Sequence, residues 1–163
     1  MSNMYDRREF LRFGIATAFG GVALPRDVWA SAQPPKNTKR RITIYKTPDC
    51  DCCKKWVEHV RQTTGWIVDV QDVDDLEKIK NNARVPKALR TCHTAIVGRF
   101  VFEGHVPADL MLTFMERPRG VAGLAVPGMP TGSPGMEVPG VPAEHYRILG
   151  FYNNGQSFVY ASR

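Results

Sequence analysis

The chain has 163 residues, is 43% hydrophobic and 23% charged, and carries a formal net charge of +6. This length suits one domain with its own core plus a leader, and the composition excludes a chain disordered through its middle. Apart from Lys39-Arg40-Arg41 the basic residues are scattered, with no aromatic residues interleaved. That pattern excludes a nucleic-acid platform and leaves the charge as solvated surface.

Residues 1–32 read as a removable export signal. Asp6-Arg7-Arg8-Glu9-Phe10-Leu11-Arg12 supplies a positive start, residues 13–24 an apolar run broken by Gly14, Gly20 and Gly21, and Ala30-Ser31-Ala32 a small-x-small exit. The run is well short of the ~20 apolar residues a membrane span requires, so no membrane association is expected once the signal is removed. The segment resembles a twin-arginine leader, with Asp6 and Arg12 where the usual pattern prefers a small hydroxyl residue and Lys. An ordinary Sec signal or an amphipathic amino-terminal helix is the alternative. Either kind of leader predicts an exported, periplasmic protein.

After a polar linker at residues 33–40, residues 41–45 alternate as a half-buried strand that Pro48 stops. Asp51 is the expected helix cap, and Cys53, Trp56, Val57 and Val60 form one apolar helical face that ends at Gly65. Residues 66–73 read as a second strand. Asp74-Asp75 caps a short helix running through Leu76 and Ile79 to about Ala83. Beyond Pro86, residues 91–97 and 100–105 flank Gly98-Arg99 as a hairpin, and Pro107 opens a third helix over 108–116.

The order strand, helix, strand, helix, strand, strand, helix describes an α/β, thioredoxin-like core at residues 41–117, with a mixed four-stranded sheet and flanking helices. Six Pro and six Gly between residues 117 and 142 argue against regular structure there. Residues 146–152 and 156–161 around Asn153-Asn154-Gly155 form a C-terminal hairpin. The segment 118–163 is thus a Pro/Gly-rich loop and hairpin packed on the core.

Three of the four cysteines crowd into Cys50-Asp51-Cys52-Cys53, where the first strand gives way to the first helix. Adjacent Cα atoms lie ~3.8 Å apart, too close for an unstrained Cys52-Cys53 bridge. A Cys50-Cys53 disulfide or a link to Cys92 is favoured. Helix N–H groups with Lys54 and Lys55 promote thiolate there, while Asp49 and Asp51 oppose it. In a thioredoxin-like fold the loop entering the third strand faces this helix start, which brings Cys92-His93 to the cluster. Thr94 stands where thioredoxins carry a cis-proline, weakening a plain dithiol-exchange reading. With Gly98-Arg99 as the turn, Val97 pairs with Phe100 and Cys92 lies opposite His105.

Thiolates with an imidazole select Cu(I) or zinc. The tight Cys-x-Cys-Cys spacing suits thiolates bridging more than one Cu(I) better than the usual structural zinc spacing, with a Cys3His zinc site as the alternative. Two structural disulfides are the bland alternative in an oxidising compartment.

Four stretches together resemble the CopG-like periplasmic proteins, long grouped as a domain of unknown function. They are Tyr45 through Trp56, Val85 through Ala95, Glu103-Gly104-His105-Val106-Pro107-Ala108 and Gly128 through Glu137, and the likeness runs from about Arg41 to Val141. The resemblance implies a thioredoxin-like fold, a place in copper-resistance operons and a multinuclear Cu(I) thiolate cluster. It implies copper redox interconversion carried by Cys50, Cys52, Cys53 and Cys92 with His93 adjacent. All four cysteine positions are present.

Met129 and Met136 are soft donors in a loop able to fold over the site, although methionines filling gaps beneath an irregular segment are the favoured alternative. Met111 and Met115, at helical spacing, are core residues, and His59 and His145 are expected to be solvated. The leading function is therefore an exported copper-binding protein of the metal-resistance type, its partners copper ions and another copper-resistance protein. The alternatives are a thiol-disulfide oxidoreductase using Cys50 and Cys53, and a stapled structural domain.

Overall fold

The computed structural model describes residues 39–163. The expected export signal at 1–32 and most of the linker lie outside them. Seven strands form one mixed sheet: β1 Arg41–Lys46, β2 Ile67–Asp72, β3 His93–Val97, β4 Phe100–Gly104, β5 Gly123–Val126, β6 Arg147–Phe151 and β7 Ser157–Ser162. Three helices accompany them: α1 Asp51–Thr64, α2 Leu76–Asn82 and α3 Ala108–Glu116. The sheet order is β2-β1-β3-β4-β5-β6-β7. Pairs β1-β2 and β4-β5 are parallel, and the other neighbours antiparallel.

Local signals account for most boundaries. Gly65 closes α1 at φ 64°, a left-handed conformation natural to glycine. Asp75 accepts the Lys78 N–H at 2.9 Å to open α2. Cys53, Trp56, Val57 and Val60 are the buried stripe of α1, as the spacing predicts. Trp56, Val57 and Val60, together with Ala108, Met111 and Phe114 of α3, pack on Ile42, Ile44, Ala95, Val97 and Phe102. By alternation along β4, Val101 faces the other way, into a smaller cluster with Val85, Leu89, Ala125 and Phe151. α2 lies against β1 and β3.

The four-stranded expectation is too small, because β5 joins the β1–β4 sheet to the C-terminal hairpin β6-β7. The segment expected to be irregular contains this central strand, all four of whose residues are buried. The glycine count pointed the wrong way. A Cβ at Gly123 would stand 1.9 Å from the Val101 carbonyl oxygen and 2.8 Å from the Phe151 ring. Gly123 is thus what lets β5 approach β4 and β6, rather than a breaker. The unit β4-α3-β5 is consequently a second parallel crossover.

Candidate metal and thiol site

The site lies where β1 hands over to α1. Lys46, only 4% exposed, directs its Nζ to the carbonyls of Thr47 (3.1 Å) and Pro48 (3.4 Å) and to Asp72 of β2. This ties down the turn that delivers Cys50. Cys50 itself occupies the N-cap without a side-chain cap bond, and α1 starts at Asp51. The expected cap, Asp51, points outward and pairs with Lys54 at 2.8 Å, which holds its carboxyl below the usual range. With the cap at Cys50, Cys52 and Cys53 are helical.

Cys50 and Cys53 form a disulfide with Cα atoms 5.3 Å apart, while Cys52 and Cys92 are free thiols. The two-disulfide alternative is therefore not realised. Cys52 Sγ stands 3.5 Å from Cys50 Sγ, and the buried Cys53 Sγ lies 3.8 Å from the Cys92 carbonyl. All four sulfurs lie within 4.8 Å of one another.

Cys92 immediately precedes β3, and the hairpin pairs Val97 with Phe100 through Thr94 with Glu103. Continued outward, this register brings Cys92 to His105: Cys92 Sγ lies 3.3 Å from His105 Nε2 and 3.3 Å from His93 Nδ1. Cys92, His93 and His105 form a second cluster within the same 4.8 Å span, so Cys92 belongs to both groups.

His105 Nδ1 lies 2.7 Å from the Pro134 carbonyl. A carbonyl only accepts, so Nδ1 carries the proton and the Nε2 lone pair faces Cys92. A backbone carbonyl holding the distal N–H is the usual support of a metal-binding imidazole. His93 is wholly buried and packs against Trp56 with the rings tilted and their centroids 4.3 Å apart. The Trp56 indole N–H in turn donates to the Val106 carbonyl at 2.9 Å. His93 Nε2 is buried without a hydrogen-bond partner.

Burial drives the His93 pKa well below its ordinary value, helped by His105 and Lys80, and burial also lowers that of His105. Both rings are thus neutral, the ligand form. Burial, followed by the neighbouring Cys52, pushes the Cys92 thiol up to about 12. Metal binding there must displace a proton.

The Pro/Gly-rich loop closes over the cluster. Besides the Pro134 contact, Gly135 at φ 85° leaves no room for a Cβ, which would meet Trp56 N at 2.8 Å and Cys52 O at 2.9 Å. Glu137 turns back to accept the Gly135 N–H. Met136 follows this contact and is half-buried, whereas Met129 lies on the surface, 39% exposed.

His59 is half-buried, not solvated, and its Nε2 accepts the Ala108 N–H at 3.1 Å, capping α3, whose own N-cap Pro107 offers no side-chain bond. His145 is exposed as expected. Unforeseen altogether was the buried pair Lys80–Glu103. Its sequence signal was a lysine inside the apolar stripe of Leu76, Ile79 and Ala83.

A mixed α/β domain with four sulfurs and two neutral imidazoles gathered at one end of its sheet defines a thiol-rich protein able to hold metal. A family model described as "Protein of unknown function, DUF411" matches residues 89–136, from the turn before Cys92 through Met136. Two solved structures titled "Copper resistance protein copG- Form 2" and "Copper resistance protein copG- Form 1" are similar over most of the chain. Each shows 35% identity and a TM-score of 0.72, with 77% of this chain covering 99% and 98% of theirs. No curated protein matches the chain. The chain belongs to the CopG-like family.

Proposed function

We propose that this protein is an exported copper-binding protein of the metal-resistance type. In its reduced state it holds more than one Cu(I) with Cys50, Cys52, Cys53 and Cys92, assisted by His93 and His105. The observation that carries this reading is the mutual approach of all four sulfurs to within 4.8 Å, with Cys92 shared by an imidazole pair. Soft thiolates at that density suit bridged Cu(I) better than one tetrahedral zinc. Formation of the Cys50-Cys53 disulfide removes two ligands, so copper occupancy and thiol redox state are coupled. Met136 is the better placed of the two candidate thioethers, following the loop residue that touches α1.

The order β2-β1-β3-β4, with α1 starting at the carboxyl end of β1, supports a thioredoxin-like core with residues 118–163 as an extension. The same disulfide at the start of α1 favours a second reading, thiol-disulfide exchange with Cys50, the less buried residue of the pair, as the attacking thiol. Among the described residues no helix is long and apolar enough to cross a membrane. Periplasmic placement, and partnership with another copper-resistance protein, follow from the leader and the family. Replacing Arg7-Arg8 by Lys-Lys should hold the precursor in the cytoplasm, and unaltered export would remove the twin-arginine route.

The deciding experiment loads the anaerobically reduced mature protein with copper or zinc and counts metal and thiols in wild type and Cys52→Ser. More than one copper per chain, reduced in Cys52→Ser, supports the cluster. A single zinc or no metal overturns it, and metal-free turnover of a protein disulfide abolished by Cys50→Ser establishes the second reading.

A further inference from the structure

Behind the site lies an ion pair sealed from water. Lys80 of α2 and Glu103 of β4 are 1% and 0% exposed, with Lys80 Nζ 2.5 Å from Glu103 Oε1. Replacing such a pair by well-packed apolar residues is often neutral or stabilising, so stability alone is a weak reason for it. Its remaining bonds indicate another role. Glu103 Oε1 also accepts the Thr91 backbone N–H at 2.6 Å, and Oε2 accepts the Thr94 hydroxyl at 2.7 Å. Lys80 Nζ donates to that same Thr94 oxygen at 3.0 Å. One carboxylate thus grips the residue before Cys92 and the residue after His93.

The next residue tightens the arrangement. Gly104, at φ 70°, has Thr91 Oγ1 and the Val126 carbonyl where a Cβ would be, at 2.4 and 2.9 Å. Thr91 therefore packs directly on the β4 backbone at Gly104, the residue before His105. Cys92 Sγ must meet both His93 Nδ1 and His105 Nε2 at 3.3 Å. A loop preceding a strand, left to itself, does not hold such a position closely.

We propose that Glu103, charge-balanced by Lys80, is a positioning residue that clamps the Thr91–Thr94 segment so that Cys92, His93 and His105 converge. This rests on the copper reading above. The pair touches no metal itself. It acts through backbone and hydroxyl bonds from the α2 face of the sheet.

Two double variants separate clamp from charge. Lys80→Met/Glu103→Gln removes both charges yet keeps an amide oxygen for the Thr91 N–H and an amide group for Thr94. Lys80→Met/Glu103→Leu removes charge and clamp together. Cu(I) affinity of the reduced protein is measured by chelator competition, beside the metal-free Tm. Glu103→Leu in that background strands the Thr91 N–H and the buried Thr94 hydroxyl, so it should lower Tm while leaving the protein folded and weaken Cu(I) about 10- to 100-fold, whereas the Gln variant should stay within about threefold of wild type.

Wild-type affinity in the Leu variant, or equal loss in both variants, overturns the clamp. Failure of wild type to bind copper overturns the copper reading instead. Hydrogen exchange on wild type needs no variant: the Thr91 amide should be protected as strongly as the β3-β4 ladder. Rapid exchange there refutes the clamp even if the Leu variant fails to fold.

Discussion

Gly135→Ala tests how the Pro/Gly-rich loop is held against the thiol site. Gly128 provides the control, because it shares the left-handed conformation, φ 83° against 85°, but has nothing within 4 Å of an added Cβ. Both substitutions carry the left-handed strain of an L-residue, about 1–2 kcal/mol. Only Gly135→Ala also drives a methyl into the backbone of α1, at 2.8 Å from Trp56 N and 2.9 Å from Cys52 O. Neither atom can swing aside. Overpacking of that kind adds about 1–3 kcal/mol, so Gly135→Ala should cost about 2–5 kcal/mol against about 1–2 for Gly128→Ala.

For a domain of this size that corresponds to a drop in Tm of roughly 8–20 °C against roughly 4–8 °C. If the loop releases instead of straining, the global loss is smaller, and cleavage within residues 127–142 by a nonspecific protease accelerates in Gly135→Ala alone. Thermal denaturation and limited proteolysis of the reduced, metal-free protein read the two outcomes. Equal Tm values together with equal cleavage rates would refute the claim that Gly135 seats the loop on α1.

Other expectations follow from the same contacts. Burial holds the His59 pKa below its ordinary value despite the pull of Glu137 and Asp109. The unfolded chain therefore takes up protons first as pH falls, so this contribution is intact above about pH 6.5 and is lost below it. His59→Gln, which can still accept the Ala108 N–H, should flatten the decline in urea-unfolding stability between pH 7.5 and 5.5; an undiminished slope would count against the cap. Gly123→Ala sets a methyl 1.9 Å from the Val101 carbonyl oxygen and should part β5 from β4. A soluble yield and Tm equal to wild type would show that the strand does not depend on that close approach. Trp56→Ala removes a fully buried ring and the surface on which His93 packs, and should cost about 3–5 kcal/mol in chemical denaturation.

Much of the first half was legible because its signals are local. The apolar stripe of α1, the Asp75 cap, Gly65 and the Gly98-Arg99 turn each depend on residues a few positions apart, and the turn sets the strand register that, continued outward, puts Cys92 opposite His105. What escaped depends on partners distant in sequence. Gly123 is indistinguishable from a loop glycine until β4 and β6 are known to flank it. His59 looked solvated because its partner is the start of a helix 49 residues away. Lys80 and Glu103 each resemble ordinary surface charges, and only the fold brings them together. Asp51 offered the favoured cap chemistry, but the turn braced by Lys46 placed the helix start one residue earlier.

Cys53 and Cys92 are 39 residues apart, and Pro134 lies 29 beyond His105. A chain emerging from synthesis therefore exposes its Cys-x-Cys-Cys segment well before the hairpin partner exists, and longer still before the covering loop arrives. The two halves of the cluster meet only on the way to the complete fold, since such long-range pairings come late. Until then the early cysteines are accessible to any oxidant or metal nearby. The compartment in which folding is finished thus decides which of the two the thiols meet first.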